Sequence, residues 1–153
     1  MVITSVQEAL EAVRHSAFTL HSIPLKFQTD EVCLEAVKQN GYALAAVKNR
    51  TPEICLEAVK EEWRVLELIQ EPTEEICMEA IKQNGLALQY LNNQTYEMCL
   101  EAVKQNEIAL CFVQNQTEEM CLIAVQRYGL VLEYVKNKTE KICLEAVRQE
   151  GLA

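Results

Sequence analysis

Six cysteines, Cys33, Cys55, Cys77, Cys99, Cys121 and Cys143, recur at a fixed interval of 22 residues, and a seventh, Cys111, stands outside the series. A ladder of thiols suggests zinc ligation, disulfide exchange or nucleophilic catalysis. Zinc sites take cysteines in closely spaced pairs, usually with histidine, whereas successive cysteines here lie a whole repeat apart. If consecutive repeats stack as packed helices, about 8–10 Å separates them, beyond the ~7 Å Cα separation that a disulfide can bridge. The two histidines, His15 and His21, do not share a helical face, and neither stands with a serine, cysteine or carboxylate in a nucleophile–base pattern. The sequence thus offers no catalytic set, no metal-ligand set and no cofactor. The ladder reads as buried cysteine, a small hydrophobe in a reducing compartment.

The elements that carry the ladder repeat with it. Each cysteine opens the phrase Cys-Leu-Glu-Ala-Val, varied to Cys-Met-Glu-Ala-Ile at Cys77 and to Cys-Leu-Ile-Ala-Val at Cys121. A threonine precedes each one: Thr29, Thr51, Thr73, Thr95, Thr117 and Thr139. Threonine there predicts a helix N-cap, with Pro52 tolerated just inside and Glu31, Glu53, Glu75, Glu97 and Glu119 favouring the positive end of the helix dipole. A helix of about eleven residues is expected from each cap. It should stop at Asn40-Gly41, at Asn84-Gly85, at Gly129 and at Gly151 through a left-handed glycine. Trp63 and Glu107 replace glycine in two copies, so those turns are expected to close differently. A second, shorter helix should carry Ala43-Leu44 with Val47, Ala87-Leu88 with Leu91 and Ala109-Leu110 with Val113, and end near Asn49, Asn93, Asn115 or Asn137.

On a helical wheel, Met98, Cys99, Leu100, Ala102 and Val103 cover an arc of about 200°, where an ordinary surface helix needs about 100°. An arc that wide must be covered on both sides, by the repeat before and the repeat after. The expected fold is all-α: an α-solenoid of tandem 22-residue helix-turn-helix repeats forming a single domain over residues 1–153. A degenerate N-terminal cap repeat occupies 1–28, where Ala9 replaces cysteine and Pro24 interrupts. Five full repeats fill 29–138 and a truncated copy fills 139–153.

Fourteen basic residues against 23 acidic ones give a net charge of −9, which opposes phosphate backbones and anionic lipid. Neither nucleic acid nor membrane is an expected direct partner. Glu8 and Glu11 break the N-terminus before the apolar core of a signal peptide could form, and no stretch is long enough to span a bilayer. A cytoplasmic protein is expected, or one in the host cytosol if it is an effector. The triplets Asn49-Arg50-Thr51, Asn93-Gln94-Thr95, Asn115-Gln116-Thr117 and Asn137-Lys138-Thr139 read as a helix-ending asparagine followed by the next N-cap rather than as glycosylation sites.

Two surface ladders are candidates for binding. The first is acidic: Glu31/Glu35, Glu53/Glu57, Glu75/Glu79 and Glu97/Glu101, each pair one turn apart, with Lys38, Lys60, Lys82 and Lys104 placed to neutralise the second member. The second is Tyr90, Phe112 and Tyr134 on successive short helices, where earlier copies hold Ala46 and Leu68; aromatics are enriched at interface hot spots. Beside it, on the outward side of the wheel, lie Glu67, Gln89, Cys111 and Glu133, which makes Cys111 an accessible thiol. At the other end, Leu144, Val147 and Leu152 lack a following helix, and an end-to-end homodimer would cover them.

The phrase Thr-x-Glu-x-Cys-Leu-x-Ala-Val-x-x-Asn-Gly-x-Ala-Leu-x-x-Val, nearly whole from Thr29 to Val47 and close to it from Thr73 to Leu91, resembles a family of short helical repeats catalogued as a domain of unknown function. Such repeats are common in large viruses and in bacteria that live with eukaryotic hosts, and no activity is assigned to them. The resemblance implies a helical-repeat fold and a factor that acts on a host or foreign protein. The expected function is a non-enzymatic protein-binding scaffold with a protein partner. An acidic inhibitor occupying the basic nucleic-acid-binding cleft of an enzyme is one alternative, and a self-assembling structural repeat protein is another.

Overall fold

A computed structural model describes residues 3–151. Its α-helices are α1 (Val6–His15), α2 (Asp30–Gln39), α3 (Pro52–Glu61), α4 (Glu74–Gln83), α5 (Tyr96–Gln105), α6 (Glu118–Arg127) and α7 (Glu140–Glu150). Short 3₁₀ helices alternate with them: η1 (Ala17–Ser22), η2 (Leu25–Phe27), η3 (Gly41–Ala46), η4 (Trp63–Leu68), η5 (Gly85–Tyr90), η6 (Glu107–Phe112) and η7 (Gly129–Tyr134). No strand occurs among the described residues. The chain divides into two compact units, with the boundary inside α4 between Ala80 and Ile81. In the first unit α2 packs against both α1 and α3, and η3 against both η1 and η4. In the second, α6 packs against both α5 and α7, and η6 against both η5 and η7.

The threonine caps start every repeat helix. Thr29 Oγ1 accepts the backbone N–H of Val32 (3.4 Å), and Thr51, Thr73, Thr95, Thr117 and Thr139 do the same for Ile54, Ile76, Met98, Met120 and Ile142. Pro52 occupies the first helical position, where its missing N–H costs nothing.

The helix stops differ from the expected left-handed glycine. Among the described residues none has positive φ, and Gly151 after α7 is right-handed helical at φ −76°, ψ −9°. Instead α2 ends on an extended residue, Asn40 at φ −156°, ψ 111°, a conformation that any residue can adopt. Glu62 (φ −151°, ψ 106°) and Asn106 (φ −148°, ψ 114°) do the same, so the turns before Trp63 and Glu107 close like the others. This extended residue serves two helices. Its N–H bonds the fourth residue back in the α-helix, while its side chain opens the 3₁₀ helix: Asn40 Oδ1 accepts from Tyr42 N (2.9 Å), Asn84 Oδ1 from Leu86 N (2.9 Å) and Asn106 Oδ1 from Ile108 N (3.0 Å).

Glycine is present for closeness. A methyl group on Gly41 would overlap the carbonyl oxygen of Ala58 in the next repeat, and one on Gly85 would overlap that of Ala102. The second elements are six-residue 3₁₀ helices rather than α-helices. In so short a segment i→i+3 bonding satisfies more backbone groups than i→i+4 can. They end three residues before Asn49, Asn93, Asn115 and Asn137, so these asparagines lie in the bends that follow and terminate no helix.

Packing rests on a recurring quartet: Val32, Cys33, Ala36 and Val37 in α2, and its equivalents Met98, Cys99, Ala102 and Val103 in α5, are buried. Ala9 takes the cysteine position in α1 and is equally buried. At three caps, Thr51, Thr95 and Thr117, the preceding residue closes the bends, a role the sequence does not announce. Gln94 Nε2 donates to Phe112 O in the following repeat (2.9 Å) while its Oε1 accepts Gln114 N (3.0 Å), and Gln116 repeats this with Tyr134 O (2.9 Å) and Lys136 N (2.9 Å). Arg50 reaches the equivalent carbonyl, Leu68 O, at 2.6 Å.

Two substitutions separate close approach from a left-handed turn. Gly85→Ala and Gly85→Asn should each destabilise the protein by about 1–3 kcal/mol, because backbone blocks the added carbon, whereas a left-handed site would tolerate asparagine. Urea denaturation of the two variants checks this.

Candidate protein-binding surface

In a 3₁₀ helix residues three apart eclipse one another, so each short helix turns its second and fifth residues to one side. In the second unit these pairs are Leu86/Gln89, Ile108/Cys111 and Leu130/Glu133 on the mutually packed η5, η6 and η7. Of the first and fourth residues, Gly85, Leu88 and Gly129 are buried and Leu132 is half-buried. The outer side is unusually apolar. Ile108 is 41% exposed and Leu130 55%, and Leu86 is half-buried between solvent and core.

Gln89, Cys111 and Glu133 all lie exposed on this outer side, and Glu67 is exposed at the same position of η4 in the first unit. Tyr90 and Phe112 are half-buried at the ends of η5 and η6, while Tyr134 is exposed at the end of η7. The Tyr134 hydroxyl bonds to Glu133, which, with the charge of Glu133 and partial burial, holds its pKa above the ordinary tyrosine value. Ile108 and Leu130 were missed in the sequence. On an α-helical wheel at about 100° per residue each stands about 60° from the fifth residue of its helix, and the tighter 3₁₀ spacing brings the two into line.

The acidic ladder is less uniform than its spacing implies. Glu31, Glu53, Glu75 and Glu97 are exposed, but Glu35, Glu57, Glu79 and Glu101 are half-buried. Lys60 pairs with Glu57 at 2.6 Å, as the spacing predicts, and Arg14 pairs with Glu35 at 3.5 Å. The hydrogen bond from Glu57 raises the Lys60 pKa.

On α7, Leu144 is 64% exposed and Val147 69%, while Val125, the equivalent of Val147 in α6, is fully buried. An open apolar groove of about 580 Å³ runs between η7 and α7, lined by Leu130, Leu132, Ala146 and Val147. Leu152, expected to join this face, lies outside the described residues.

All seven cysteines are free thiols, and among the described residues no three histidine, cysteine or acidic side chains gather as metal ligands would. No helix among them is long and apolar enough to cross a membrane. Cys33, Cys55, Cys77, Cys99 and Cys121 are buried, and burial raises the pKa of each thiol. Cys143 departs from the ladder by being half-buried. Partial burial of the sulfur raises the pKa of Cys111 as well, although the residue is exposed. Brief alkylation of the native protein should therefore label Cys111 first and Cys143 second, with the other five labelled only after denaturation. The Cys111 rate should climb as pH rises toward its elevated pKa, because the thiolate is the reactive form. Peptide mass spectrometry at several pH values checks both the order and the slope.

No curated protein matches the chain, and no solved structure does. Residues 73–116, which run from the Thr73 cap through α4, η5, α5 and η6, match the model of a family described as a domain of unknown function (DUF4116).

Proposed function

We propose that the chain is a non-enzymatic protein-binding scaffold of the α-solenoid class, in which the outer side of η5, η6 and η7 receives a partner protein. The observation that carries this reading is the exposure of Ile108 and Leu130 at equivalent positions of adjoining 3₁₀ helices, with Tyr90, Phe112 and Tyr134 at their ends. Contiguous apolar surface rimmed by polar side chains is what interaction sites present, and rigid aromatics beside it supply anchors of the hot-spot kind. Packing of α2 against α1 and α3 in one unit, and of α6 against α5 and α7 in the other, supports the stacked class. The family resemblance adds that the partner belongs to a host or foreign organism.

Partner capture should separate this surface from the acidic one. Wild-type protein, an Ile108→Lys/Leu130→Lys variant and a Glu79→Gln/Glu101→Gln variant are immobilised in parallel, with helicity checked by circular dichroism. A partner held by wild type and by the glutamine variant but reduced about tenfold or more by the lysine variant is expected, as for loss of a hot spot. Within the aromatic ladder, Tyr90→Ala and Phe112→Ala should cost more affinity than Glu79→Ala and Glu101→Ala. The reverse ranking, with binding abolished by moderate salt, would favour the inhibitor of a basic cleft.

A second reading, end-to-end self-association, is favoured by the exposed Leu144 and Val147 beside the apolar groove on α7. Sedimentation should then show a concentration-dependent dimer that Leu144→Lys shifts to monomer, and a wild type that stays monomeric at high concentration would exclude it.

A further inference from the structure

A different face of the second unit carries a groove suited to an extended chain. Two hollows open along the bends that precede α5, α6 and α7. One, of about 210 Å³, is lined by Gln94, Thr95, Tyr96 and Cys99 together with Asn115 and Thr117. The next, of about 340 Å³, is lined by Asn115 and Thr117 again, and by Gln116, Cys121, Asn137 and Thr139. Because Asn115 and Thr117 line both, the two hollows adjoin along a trough and are offset by one 22-residue repeat.

Most polar groups along the trough are committed. Gln94 and Gln116 use their amides to join consecutive repeats. Thr95, Thr117 and Thr139 accept helix N–H groups. Lys136 Nζ donates to Val113 O and Gln114 O at 3.0 and 2.9 Å. The side-chain amides of Asn115 and Asn137 are different: both residues are exposed, and neither amide has a partner among the described residues. One free carboxamide per repeat therefore faces the trough, offering two donors and an acceptor.

We propose that this trough binds a proline-rich segment of a protein in the polyproline II conformation, with Asn115 and Asn137 donating to its main-chain carbonyls. Spacing selects that conformation. Helices in contact, as α5, α6 and α7 are, lie about 8–10 Å apart, and polyproline II repeats every three residues, at about 3.1 Å each, or roughly 9.3 Å. A β-strand presents equivalent groups every two residues, about 6.7 Å, and falls out of register with the asparagines. Polyproline II makes no internal hydrogen bonds, so its carbonyls are available to the amides. At the start of the trough Tyr96 is 45% exposed, its hydroxyl fixed by Glu119, and its ring offers the aromatic surface on which proline rings dock. None of Leu86, Gln89, Ile108, Cys111, Leu130 and Glu133 lines either hollow, so the two surfaces can be tested with separate variants.

The probe is a fluorescent oligoproline peptide about nine residues long, three turns of polyproline II, titrated with the full chain by anisotropy. Saturable binding is expected, weakened about fivefold by either Asn115→Asp or Asn137→Asp, which keep the shape but remove the donors, and more by the pair. Asn115→Ala and Asn137→Ala should agree with them, since the acidic change alone could repel a ligand or alter the fold. The Ile108→Lys/Leu130→Lys variant should bind like wild type. Absence of saturable binding, affinity unchanged by the asparagine variants, or equal binding of an alternating Thr-Val peptide would each overturn the proposal.

Discussion

A ten-residue α-helix does not persist alone in water, because its single nucleation cost is repaid by too few hydrogen bonds. Every helix that carries the repeat phrase is of that length or one residue longer. Each therefore depends on burying a quartet such as Val32, Cys33, Ala36 and Val37 against its neighbours. The quartet is two-sided, so a helix inside a unit needs both the repeat before and the repeat after. Cysteine and alanine keep the contact surface low, and Gly41 and Gly85 allow the 3₁₀ helix of one repeat to touch the helical carbonyls of the next. Cysteine in this setting is a packing group, and its raised pKa follows from the burial that the packing demands.

Close stacking leaves backbone polar groups that the short helices cannot satisfy themselves. The chain meets this with side chains at three recurring places: threonine at the start of the α-helix, asparagine or glutamate at the junction with the 3₁₀ helix except at Tyr128, and glutamine or arginine before the caps Thr51, Thr95 and Thr117. The last of these acts between repeats, so that Gln94 and Gln116 fix the bends of two copies at once. Gln105 and Gln149 add a further tie, each donating to the carbonyl of the residue one repeat earlier, Gln83 and Arg127. Side chains free of these duties are then the ones available to a partner. They include the apolar residues on the outer side of η6 and η7 and the asparagines of the bends.

The repeat length, the caps and the buried quartet were legible because each is a local pattern repeated in register. Thr29 to Val37 predicts its own helix, and six copies remove the ambiguity of one. The bends were not. An Asn-Gly pair at a helix end is compatible with a left-handed turn, and nothing local in Asn40-Gly41 says that the glycine answers to Ala58, seventeen residues onward. The same holds for Asn115 and Asn137, whose place in the trough depends on how adjoining bends sit side by side.

The sequence by itself determined which residues face inward on the α-helices, since apolar periodicity and capping act within a turn or two of chain. It also put Cys111, Gln89 and Glu133 outward, because a polar or charged side chain at that position in several copies could not be buried without cost. Tertiary structure decided the rest. Packing of repeat on repeat left Ile108 and Leu130 exposed beside those residues and Tyr90 and Phe112 half-buried. These outcomes depend on carbonyls and side chains from the neighbouring repeat, a distance in sequence over which no local propensity acts.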